Sequence, residues 1–180
     1  MNDENVENTN INHNPPTAKP GKTFYRRNLP HMQKLRRPIF ITFRTRPGLI
    51  LPESTRTQVL NHCLHDHGHK LHMHCAVVMP DHVHLLLTLL EDSDGMPYSL
   101  EEIMSGIKGA SSHTVNACLK RKGKLWQDES FDHVLRSDQS THAKAQYICD
   151  NPIRKGLVSD LDDYPWLWRE WVEGEGEAKA

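Results

Sequence analysis

The stretch Val77 to Leu90, VVMPDHVHLLLTLL, constrains the fold most. KLHMHCAVVM (70–79) is a strand-forming run, Pro80-Asp81 make a tight turn, and HVHLLLTLL (82–90) runs back as a second strand. A β-hairpin is therefore written into the middle of the chain. Two histidines, His82 and His84, stand at the mouth of a strand that is otherwise Val, Leu and Thr. Imidazole adds little to an apolar core, and it is well suited to holding a metal ion.

Around the hairpin the elements alternate. IFITFRT (39–45) has strand periodicity, broken by Pro47-Gly48. ESTRTQVLNHCLHDHG has polar starters at Ser54 and Thr55, apolar residues at helical spacing, and a stop at Gly68. The segment from Ser99 to Arg121 opens with Ser99 and Glu102 at capping-box spacing. It continues with Ile103, Ile107, Ala110, Thr114 and Ala117 on one helical face. ESFDHVLR (129–136) reads as a fourth strand, and DQSTHAKAQYICD (138–150) as a helix ended by Asn151-Pro152. The fold class expected is α+β: a ferredoxin-like βαββαβ plait, one antiparallel sheet with packed helices, followed by a C-terminal helix that carries Tyr147.

With 180 residues the chain suits one domain. Residues 1–22 are Asn- and Pro-rich and are expected to be a disordered extension; 23–172 form the domain, and 173–180 an acidic tail. No run of about 18 apolar residues suggests a membrane span, and the polar N-terminus has no secretory h-region. The expected location is cytoplasmic, and Cys63, Cys75, Cys118 and Cys149 are expected to be reduced, buried thiols. Between Lys19 and Arg46 there are nine Lys or Arg residues and no acid. That segment suits a polyanionic partner as well as it suits a solvated linker.

Residues two apart on a strand share a face, so His82 and His84 point the same way with Cα atoms about 6.6 Å apart. They can converge on one cation, or serve as two satisfied structural histidines. A second His-rich stretch, His62, His65, His67, His69, His72 and His74, offers a rival metal-binding loop without the cysteine spacing of a zinc finger. In AQYICDNPIRKGLV, Tyr147 and Asn151 lie at i and i+4 and share a helix face. Taken alone they also fit an amphipathic core residue and a C-cap.

Taken together, FITFRTRPG, MPDHVHLLL, LWQDESFDHVLR, YICDNPIRKGLV and DYPW, in that order, resemble the HUH single-tyrosine transposases, in the REP-associated tyrosine transposase (IS200-like) branch. The resemblance spans roughly residues 38–168. It implies a metal-dependent single-stranded DNA endonuclease and strand transferase, with Tyr147 as nucleophile. His82 and His84 match the pair that binds a divalent metal, Mg or Mn, and Asn151 matches a third, amide-type ligand. The implied partner is single-stranded DNA with hairpins, like repetitive extragenic palindromes, cut to leave a 5′-phosphotyrosine. The protein would work as a monomer or homodimer. Asp81 stands where the family pattern has Asn, and reads as a turn cap or as an added carboxylate near the cation. Arg26, Arg27, Arg36, Arg37, Arg44, Arg46, Lys108, Arg154 and Lys155 are candidates for phosphate contacts, and Trp126 for stacking on a base. The alternatives are a noncatalytic nucleic-acid-binding plait and a His-rich metal-binding protein.

Overall fold

The computed structural model describes residues 37–136 and 138–170. The strands are β1 (Ile39–Thr45), β2 (Leu71–Val78), β3 (His82–Leu89), β4 (Trp126–Val134) and β5 (Leu167–Arg169). The helices are α1 (Glu53–Leu64), α2 (Leu100–Cys118), α3 (Asp138–Cys149) and the short α4 (Asn151–Arg154). Every pairing is antiparallel, and the strand order is β4-β1-β3-β2-β5. The first four strands form the expected plait. β5 is an addition to that plait, paired with β2 at the sheet edge.

The plait buries both faces of its central strands. On one face, Ile41, Phe43, Val83 and Leu85 pack with Val59 and Cys63 of α1 and Ile103, Ile107 and Val115 of α2. On the other, Phe40, Val77, Met79 and Leu86 pack with Ala145, Ile148 and Cys149 of α3. This explains why β3 reads as a nearly unbroken apolar run. A register shift between Met73 and Cys75 moves β2 by one residue relative to β3. It lets Met73 and Ala76 face one core, and Cys75 and Val77 the other.

Helix starts follow local chemistry. Ser99 Oγ accepts the Glu102 N–H at 3.3 Å and opens α2 as its spacing suggests. α1 begins earlier than Ser54, at Glu53 after Pro52, with no side-chain cap; Thr55 is buried and donates to the Pro52 carbonyl at 2.8 Å. Asn151-Pro152 does not end the helical path. α4 follows α3 at once, with Pro152 in its first turn, where a missing N–H breaks no bond. Cys63, Cys75 and Cys149 are buried thiols, but Cys118, at the end of α2, is exposed. Among the described residues no helix is long and apolar enough to cross a membrane. The expected extension (1–22) and acidic tail (173–180) lie outside the described residues.

Candidate active site

The turn after β2 is held from below. Thr45 N–H and Thr45 Oγ1 both donate to the Asp81 carbonyl, and Leu51 N–H donates to the Pro80 carbonyl at 2.7 Å. β3 then delivers His82 and His84 to the face that α3 covers. Thr42 lies opposite His84 and Arg44 opposite His82. Both histidines are 5% exposed, and their ring centroids are 4.6 Å apart.

Each imidazole is fixed through Nδ1. His82 Nδ1–H donates to Asp81 Oδ1 at 2.6 Å, and His84 Nδ1 shares a hydrogen bond with Thr42 Oγ1 at 2.7 Å. A carboxylate can only accept, which sets the His82 tautomer; the Thr42 hydroxyl can accept likewise. With Thr42 accepting, Nε2 of each ring keeps its lone pair. Burial makes the charged rings costly. It pushes His84 down to about 3, helped by the neighbouring His82, Arg44 and Lys144. Burial also lowers His82, although Asp81 opposes it. Burial alone would raise Asp81, but the His82 bond and the nearby Arg44 leave it below the usual carboxylate range. Neutral imidazole is the form that binds metals.

α3 is clamped to the sheet by Ala145, Ile148 and Cys149, all buried. Tyr147, between them in sequence, is half-buried, with its ring centroid 5.8 Å from that of His84 and 6.4 Å from that of Phe40. Two cations flank the phenol. The Lys144 ammonium is 5.1 Å from the ring centroid, and the Arg154 guanidinium carbon 4.9 Å. Asn151 is 5% exposed at the start of α4. Tyr147, Asn151, His82, His84, Arg44 and Lys155 line one cavity of about 340 Å³. Two Nε2 lone pairs and a carboxamide oxygen around a cavity with room for further oxygens fit a divalent cation.

A second group, His67, His72 and Glu170, brings ligand atoms within 4.8 Å of one another. Its chemistry is less open. His67 Nδ1 accepts the Met73 N–H at 2.9 Å, so the ring proton sits on Nε2, the atom facing Glu170. That ring can take a metal on Nε2 only by giving up the backbone bond or its last proton. The arrangement is a polar clasp between the loop before β2 and the residue after β5. Among the described residues, the rival metal loop comes no closer to a ligand set than this.

The sequence model of the family described as "Transposase IS200 like" matches residues 43–151. The chain belongs to the IS200-like transposase family. It is 27% identical over 94 residues to a Haemophilus influenzae protein named for the REP-associated tyrosine transposases, covering 49% of this chain and 53% of that one. The chain thus spans about half the length of that relative. It is 25% identical over 128 residues to the REP-associated tyrosine transposase of Escherichia coli K12, covering 70% of this chain and 71% of that one. A solved REP-associated tyrosine transposase, bound to a REP hairpin, shares the fold at TM-score 0.58 and 23% identity, over 73% of this chain and 76% of that one.

In this IS200-like family member, four residues proposed from the sequence, His82, His84, Tyr147 and Asn151, meet in one cavity, joined by Arg44 and Lys155. Arg154 lies on the Tyr147 ring. Arg46 is exposed after β1, and Arg37 donates to the Arg136 carbonyl at 2.7 Å. Arg26, Arg27 and Arg36 lie outside the described residues. Trp126 corrects the expectation of a stacking ring. It is 4% exposed, packs edge-on to Phe43 at 4.8 Å, and its indole N–H donates to Ser111 Oγ at 3.0 Å. Lys108 is on that same α2-covered face and donates to the Asp128 carbonyl at 2.9 Å. Neither is on the histidine side of the sheet. Two partners escaped the sequence reading: Thr42, which holds His84, and Lys144, over Tyr147 and Phe40. Asp81 proves to be the anchor of His82 rather than only a turn residue.

Proposed function

We propose that the chain is a metal-dependent single-stranded DNA endonuclease and strand transferase that works through Tyr147 on hairpin-bearing DNA. The observation that carries this reading is the convergence of a phenol from α3, two imidazoles from β3 and a carboxamide from α4 on one cavity. Family membership and the hairpin-bound relative support the same substrate class.

His82 Nε2, His84 Nε2 and the Asn151 side-chain oxygen would hold a divalent cation, Mg or Mn, which when bound polarises the scissile phosphate and draws off its charge. The protein supplies the rest. Burial keeps both rings neutral, and Asp81 and Thr42 aim them. Arg44 and Lys155, at the cavity wall, neutralise the flanking phosphates. The Tyr147 oxygen attacks phosphorus as the bond to the 3′-oxygen breaks. The phenolic proton leaves Tyr147, and the departing oxygen takes up a proton as a free 3′-hydroxyl. Phenol is more acidic than an aliphatic alcohol, so the phosphotyrosine can be reopened by a 3′-hydroxyl, which rejoins the strand. Such work belongs with the chromosome in the cytoplasm, and one copy of the domain carries every residue the step uses.

The test is a panel of hairpin-bearing single-stranded oligonucleotides incubated with Mg or Mn, resolved under denaturing conditions. A covalent protein–DNA species is expected with the wild type. Tyr147→Phe should form none while still binding the hairpin. Persistence of the adduct in Tyr147→Phe overturns the assignment; binding without any adduct in the wild type leaves a noncatalytic module.

A further inference from the structure

β4 is an edge strand, mostly polar and exposed. Phe131 breaks that pattern. It is 61% exposed, the only exposed Phe, Tyr or Trp among the described residues. A single exposed apolar side chain is ordinary. Its position is not, because Phe131 pairs with Thr42, and Thr42 pairs with His84. All three share the histidine face of the sheet, with Phe131 two strand spacings, about 10 Å, from His84. The ring meets Phe40 edge-on at 6.3 Å, and Phe40 in turn lies 5.4 Å from the His84 ring.

Beside Phe131 is a hollow of about 300 Å³, lined by Thr42, Arg44, Gln127, Glu129, Ser130 and Phe131. Arg44 also lines the cavity of His82, His84 and Tyr147, so the two spaces share a wall. A strand with a phosphate at that wall would place a neighbouring base in the hollow. Away from the Arg44 wall, the hollow's chemistry suits a base. Gln127 is held by one of its two amide hydrogens on the Thr45 carbonyl at 2.9 Å, and Glu129 is an exposed carboxylate. An ionised carboxylate only accepts hydrogen bonds. A carboxylate beside an aromatic face favours the exocyclic amine of cytosine or adenine over thymine, whose single N3–H donor is flanked by two carbonyl oxygens that the carboxylate repels.

We propose that this hollow is a subsite for one unpaired nucleobase bearing an exocyclic amine, stacked on Phe131 and read by Glu129. It deepens the DNA-cleaving reading and rests on it for the substrate class. It gives the site a base preference within a few nucleotides of the reacting phosphate.

The experiment uses fluorescein-labelled (dC)8 and (dT)8 with the full chain, read by anisotropy. Wild type should bind (dC)8 more tightly. Phe131→Ala should weaken both by about 10-fold or more, the loss of one stacked base. Phe131→Trp should keep binding, and its emission should be quenched by (dC)8 beyond any change in the wild type. Removing a carboxylate strengthens binding of any polyanion, so for Glu129→Ala the ratio is what counts; it should move toward one. Phe131→Ala within twofold of wild type on both oligonucleotides, or an unchanged ratio in Glu129→Ala, overturns the subsite. The hairpin adduct assay separates the two ideas. Loss of (dC)8 binding in Phe131→Ala with no adduct in the wild type leaves the subsite standing and removes the nuclease. An adduct with unchanged Phe131→Ala binding does the reverse.

Discussion

At the scale of the residue, the site depends on which nitrogen of each histidine carries hydrogen. For His84 the partner that holds Nδ1 is Thr42, whose hydroxyl accepts when Nε2 is free for a cation. Thr42→Val keeps shape but leaves a buried Nδ1–H without its acceptor, a loss of about 1–3 kcal/mol. The ring can then turn or change tautomer, and Mn affinity should fall about 10- to 100-fold. Isothermal titration with Mn, alongside a circular-dichroism check of the fold, measures this; unchanged affinity would mean the hydroxyl orients nothing. The His82/His84 pair was legible because two residues apart on a strand is a local relation. Thr42 was not, since it reaches His84 across 42 residues and only strand register brings them together. Trp126 failed for a related reason. An aromatic at a strand start looks the same in sequence whether it faces solvent or, as here, Phe43 and α2.

At the scale of the element, Tyr147 is placed by its neighbours on α3. Ile148 is fully buried against the face formed by Phe40, Val77 and Leu86. Ile148→Ala should cost about 2–5 kcal/mol in urea unfolding, and Ile148→Val about 0.5–1.5. Because the cavity would let α3 shift, adduct formation by Ile148→Ala should fall more than hairpin binding does. Equal losses would show that α3 is not what positions the phenol. The existence of β1 to β4 and α1 to α3 followed from periodicity, which is a property of ten or so residues. β5 has three residues and no period to read; it forms because Glu170 N–H donates to the His74 carbonyl and Val78 N–H to that of Trp166. α4 was hidden by Pro152, a helix breaker in the interior that is harmless in a first turn.

At the scale of the whole molecule, charge is the property to test. Formal net charge is −1, so solubility and binding are set by how charge is sorted rather than by its sum. Stability against acid is set by buried histidines. His74, beside the β2 register shift, is lowered to about 4, by burial first and by His72 and His67, with Glu170 opposing. His84 is lowered to about 3. In the unfolded chain both titrate near 6.5. Between those values the unfolded state binds more protons than the folded one. The stability is therefore complete above about pH 6.5 and is lost as pH falls toward 4 for His74 and 3 for His84. Asp81, held below the usual carboxylate range, adds its loss only at the acid end. Urea midpoints measured at pH 7.5, 6.5, 5.5 and 4.5 should therefore fall steadily below 6.5. His74→Asn and His84→Asn should each flatten that fall, and the double variant should flatten it most. A double variant as acid-sensitive as the wild type would assign the loss to other groups. The same burial has a functional consequence, because a His84 ring that stays neutral across pH 6 to 8 makes its own contribution to cation affinity nearly independent of pH there.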